Sequence, residues 1–150
     1  MTGFDALLRR LAAAGLIAML PTACTIIAPP PANPFVGAWS TGEKKQIAFR
    51  PETVVFNPPG QPPTPLSADT CSGKFGFDYR RESRNALLAL AGRQPDLRRR
   101  LESVLVQPDY PVAVMTCGEG GTTYVMLSDK EIVAIHHDLD IAGLERWSRP

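Results

Sequence analysis

From Phe35 onward, apolar side chains recur at every second position through several short stretches, the period of a strand with one buried face. Phe35-Val36-Gly37-Ala38-Trp39 opens the series, Ser40-Thr41-Gly42 turns the chain, and Ile47 and Phe49 share one face of Lys45 to Phe49. Arg50-Pro51-Glu52 turns again, and Val54 and Phe56 face one way, which predicts a hairpin. Asn57 to Pro65 holds five prolines and cannot be a central strand. Alternation returns over Asp69 to Tyr79, with Cys71, Gly73, Phe75, Phe77 and Tyr79 on one side and a bend or bulge expected at Gly73 and Gly76.

The period then changes. Ser83 can cap a short helix through Ala91, closed by Gly92. Gln94-Pro95-Asp96 starts a second, since proline suits the first turn and aspartate the positive end of the helix. Leu97, Leu101, Val104 and Leu105 give it one buried stripe, and Pro108 and Pro111 stop it and turn the chain. Val112 to Cys117, Thr122 to Leu127 and Glu131 to His136 read as three strands joined by short turns, and Leu144 to Trp147 as a closing strand. Short turns make neighbours antiparallel, because parallel pairs need long crossovers. The expected fold is α+β, mainly β: an antiparallel curled sheet or small barrel of about six to eight strands, with a helical pair inserted at about residues 81–107.

The first two dozen residues follow another logic. Arg9 and Arg10 precede the apolar run Leu11 to Leu20, which ends at Pro21-Thr22-Ala23-Cys24. A positive segment, about ten apolar residues and then small ones is the layout of a secretory signal, and the run is too short to span a bilayer. Thr25 to Pro34, with three consecutive prolines and Asn33-Pro34, reads as an extended tether. The expected organisation is a signal peptide at 1–23, a tether at 24–34 and one domain at 35–150.

Leu20-Pro21-Thr22-Ala23-Cys24 resembles the end of a bacterial lipoprotein signal, with Leu20 one place ahead of the usual aliphatic position. The resemblance implies lipidation of Cys24, an outer-membrane anchor facing the periplasm, and a membrane partner through that anchor. A soluble exported form, or an uncleaved leader with Cys24 as an ordinary thiol, is the alternative. Export would leave Cys71 and Cys117 as the remaining thiols in an oxidising compartment. Their disulfide would close a loop of about 47 residues and stabilise by roughly 4 kcal/mol. Without CxxC spacing or further ligands close by, a metal pair or redox pair has less support.

A formal net charge of +1 gives no field that would draw nucleic acid. Locally, Arg80, Arg81, Arg84, Arg93, Arg98, Arg99 and Arg100 crowd the helical insertion. Arg98, Arg99 and Arg100 are therefore candidates for contact with anionic lipid phosphates or an acidic protein partner in the envelope, against the plain alternative of a solvated helix face. Catalytic signals are weak. His136 and His137 would point to opposite faces of a strand, so either one, with Asp138 or Asp140, supplies at most two ligands of a weak metal site. There is no G-x-S-x-G turn, and Gly118 to Gly121 lacks the Lys-Ser/Thr and following helix of a phosphate loop. No cofactor, metal or catalytic set is expected, although an enzyme using His136 or His137 stays open.

Gly37-Ala38-Trp39 is similar to the G-x-W opening of lipocalin-like barrels and of small bacterial protease inhibitors of the Inh type. That resemblance implies a binding fold whose Trp39 packs against an arginine of the last strand, here Arg146 or Arg149. A ligand would sit in the barrel mouth, or an N-terminal segment would inhibit a hydrolase; the inserted helices are foreign to a plain eight-stranded barrel. The expected function is a non-catalytic exported envelope lipoprotein, a binding or inhibitory module. The alternative is an accessory subunit of an outer-membrane assembly complex, docking through its arginines.

Overall fold

The computed structural model describes residues 33–137 and 142–150. The signal segment, Cys24 and most of the tether, as well as Asp138 and Asp140, lie outside the described residues.

Nine antiparallel strands form one sheet, in the order β4-β3-β2-β1-β9-β8-β7-β6-β5. The first three are β1 (Gly37–Ser40), β2 (Gln46–Phe49) and β3 (Val54–Asn57), a meander in which Trp39 pairs with Ile47 and Ile47 with Phe56. The ninth strand, one more than the patterning predicts, comes from the proline-rich loop. β4 (Thr64–Pro65) pairs Pro65 with Val55 at the sheet edge, where a missing N–H can be tolerated. β5 (Phe75–Ser83) is shifted relative to expectation: Cys71 and Gly73 lie in the turn before it, and it continues four residues beyond Tyr79. Ser72 and Gly73 both have positive φ, so the backbone is turning there and cannot continue a strand. The expected bulge at Gly73 and Gly76 is absent, since β5 pairs with β6 in unbroken register from Phe75–Cys117 to Ser83–Asp109. The irregularity falls instead in β7, between Met126 and Ser128.

Two helices follow. α1 (Arg84–Ala89) is capped by Ser83, whose Oγ accepts the Ala86 N–H at 3.2 Å. α2 (Pro95–Val104) begins on its proline and buries Leu97 and Leu101. The chain then runs through β6 (Asp109–Cys117), β7 (Gly120–Ser128), β8 (Glu131–His137) and β9 (Ala142–Ser148), and β9 pairs back onto β1 through Ser148 and Ser40. Pro111 does not break the chain before β6. It lies inside that strand, opposite Arg81, just ahead of the point where the β6–β7 pairing starts at Val112.

The sheet curls into a half-barrel with β4 and β5 as its edges. From the β5 edge, the Tyr79 hydroxyl donates to the Arg50 carbonyl in the turn between β2 and β3 at 3.1 Å, and the Cys71–Cys117 disulfide ties the segment between β4 and β5 to the end of β6. The curl divides the core in two. Inside it are Trp39, Phe49, Ala113, Tyr124, Ala134 and Trp147. Against the opposite face of the sheet, α1 and α2 press Leu87, Leu97, Leu101 and Leu105 onto Val112, Val125, Val133 and Ile135. Strand β8 is buried on both faces, so it reads as a continuous apolar run from Ile132 to Ile135.

Candidate functional site

Inward-facing residues alternate along each strand, and at four positions that phase turns polar. Lys45 continues the phase of Ile47, Thr122 that of Tyr124, His136 that of Ala134 and Glu145 that of Trp147. All four line one cavity of about 310 Å³, together with Ile47, Phe56, Leu66, Met115, Tyr124, Trp147 and Cys117. The walls are thus largely apolar and aromatic with a few convergent polar groups, the usual make-up of a small-molecule site, and the volume lies near the bottom of the range for such sites.

The polar groups form a chain. Lys45 Nζ donates to Glu145 Oε1 at 2.9 Å and lies 3.3 Å from Glu43 Oε2. Glu145 Oε2 faces His136 Nε2 at 3.5 Å, and His136 Nδ1 is 3.1 Å from Thr122 Oγ1. The hydrogen bond it donates to Glu145, and then that to Glu43, holds the Lys45 ammonium above the usual lysine range. Deeper in, burial pushes the Tyr124 hydroxyl well above the ordinary tyrosine value, with the Glu145 charge adding to the effect. Tyr124 therefore stays neutral, and the fixed charges sit at the rim. Trp147 Nε1 and Thr41 Oγ1 are buried without a hydrogen-bond partner among the described residues.

Trp39 is fully buried and does not line this cavity; it underlies the first strand as a packing residue. Its Nε1 donates to the Phe35 carbonyl at 2.9 Å, and the Arg149 guanidinium stands 4.5 Å from its ring centroid. Of the two candidate arginine partners, Arg149 takes this place, while Arg146 pairs with Glu131 across β8 and β9. The tryptophan presented to the cavity is Trp147.

Arg98, Arg99 and Arg100 lie on α2, away from the cavity. Arg98 pairs with Glu102 and Arg99 with Asp96 on the same helix, and Arg100 donates to the Leu144 carbonyl at 3.1 Å. Arg80 likewise pairs with Glu82, and Arg81 with Asp109. The basic run in the sequence is therefore interleaved with its own carboxylates at the surface, which weakens the local field.

Cys71 and Cys117 are bonded to each other. His136 and His137 point to opposite faces: His136 joins the cavity chain, and His137 Nε2 lies 3.1 Å from Thr123 Oγ1 on the other side of the sheet. Among the described residues no three His, Cys, Asp or Glu side chains are grouped to hold a metal ion.

Lys45, Thr122 and Glu145 are the site residues that linear patterning misses. Lys45 and Thr122 are ordinary polar residues near a strand end, and Glu145 lies in the middle of β9. The available signal is the phase of each, which matches the buried neighbour two residues away. No family model, no curated protein and no solved structure matches this chain.

Proposed function

We propose that this protein is a non-catalytic binding module of the bacterial cell envelope, whose half-barrel holds a small, largely apolar ligand. The observation that carries the reading is the 310 Å³ cavity, with Phe56, Leu66, Met115, Tyr124 and Trp147 in its walls and charged groups gathered at one side. The packing of Arg149 over Trp39 supports the likeness to lipocalin-like binding barrels. The exported location rests on the leader and on the Cys71–Cys117 disulfide, a bond suited to an oxidising compartment. Lipidation of Cys24 would then hold the domain at the outer membrane, facing the periplasm.

Two measurements test the halves of this reading. Nile red, a neutral apolar dye, should bind the full chain with a blue-shifted emission, and Met115→Trp should abolish that binding while the circular dichroism is preserved. Unaltered dye binding in the filled variant would remove the cavity as the site. Feeding cells a labelled fatty acid should label the wild type and not Cys24→Ala; equal label in both would remove the anchor.

A further inference from the structure

We infer that the cavity selects a small apolar or aromatic amine, held as its ammonium ion; this rests on the ligand-binding reading above and adds the sign of the ligand's charge. The argument starts from the rim. In the lining, Lys45 brings one positive charge and Glu145 one negative, and a second carboxylate, Glu43, lies 3.3 Å from the Lys45 ammonium. Lys45 is moreover committed, with a carboxylate oxygen at 2.9 Å and another at 3.3 Å. An incoming carboxylate would find the cation already paired and two like charges beside it.

A cation meets the opposite situation. Glu145 Oε2 faces the His136 ring at 3.5 Å, long for a hydrogen bond, so this oxygen keeps room for another donor. Lys45 is more than a third exposed on a flexible stem and can swing outward as a ligand ammonium takes its place. Behind the carboxylate, the rings of Tyr124 and Trp147 stand at 74° with centroids 6.3 Å apart, and Phe56 completes an aromatic lining. Aromatic faces beside a carboxylate attract a cation that has shed part of its water. The volume leaves too little room for a two-chain lipid.

The test uses three probes of matched shape: phenethylammonium, phenethyl alcohol and phenylpropionate. Each is titrated into the full chain at neutral pH, followed by calorimetry and by the fluorescence of Trp147, with Trp147→Phe as the optical control. The ammonium should bind at least about tenfold more tightly than the carboxylate, with the alcohol between them. Glu145→Gln should lower ammonium affinity by about tenfold and leave the alcohol unchanged. Glu43→Gln, at the exposed rim, should lower it by about twofold and guards against misfolding of the first variant. Equal or tighter binding of the carboxylate, or a preference untouched in both variants, overturns the inference while binding of the alcohol leaves the cavity reading standing. Failure of all three probes overturns the cavity reading and this inference with it.

Discussion

Tyr124 shows how one side chain carries information about its surroundings. Its hydroxyl is buried in the wall of the cavity and its pKa is raised above the ordinary value of 10.0, first by desolvation and then by Glu145. An acid whose folded value is raised is more protonated in the native state, so its contribution to stability is complete below about pH 10 and is lost as pH rises further. Alkaline titration followed by circular dichroism should therefore show stability falling above about pH 10, and Tyr124→Phe should flatten that fall. Gly121 is a second case. A Cβ there would run into the His137 imidazole, which must then swing away from Thr123 Oγ1. Gly121→Ala should cost about 1 kcal/mol, the worth of one partly buried hydrogen bond, measured as a shift in the urea midpoint.

At the scale of elements, the helices were the most legible part. Ser83, Pro95 and the Leu97–Leu101–Leu105 stripe are local signals, and the helix starts follow from them, while α1 ends at Ala89, two residues short of the expected Ala91. Leu101 is fully buried between α2 and the outer face of the sheet. Leu101→Ala should lower stability by about 3 kcal/mol with an unchanged dependence on denaturant. Strand ends were harder to read. Alternation alone extends β5 back to Asp69, because a turn built from Ser72 and Gly73 preserves the parity of the apolar positions. Pro65 and Pro111 each sit in a strand despite lacking an N–H, since edge position and neighbour register decide that, and neither is local.

For the whole domain, the decisive feature is a curled sheet whose end strands are not paired to each other. β4 is two residues long, so the hollow is closed on that side by the segment that follows it and by its disulfide to β6. Replacing both cysteines, Cys71→Ser with Cys117→Ser, should destabilise the domain by about 4 kcal/mol in the chain-entropy account. Because Cys117 also lines the cavity, the same variant should weaken Nile red binding before global unfolding is reached. Dye affinity that persists up to the global transition would show that the disulfide stabilises the chain without shaping the site.

The sequence by itself determined the mainly β class, the inserted helices and the cysteine pair. These depend on the period of apolar residues, on capping side chains and on the two cysteines that the strand-forming part of the chain contains. Tertiary structure alone decided that Lys45, Thr122, His136 and Glu145 share one rim, because residues up to 100 positions apart become neighbours only when the sheet curls. It also buried Trp39 beneath Arg149 and paired Arg98 with Glu102 and Arg99 with Asp96, since burial and pairing are properties of the folded surface rather than of the order of residues.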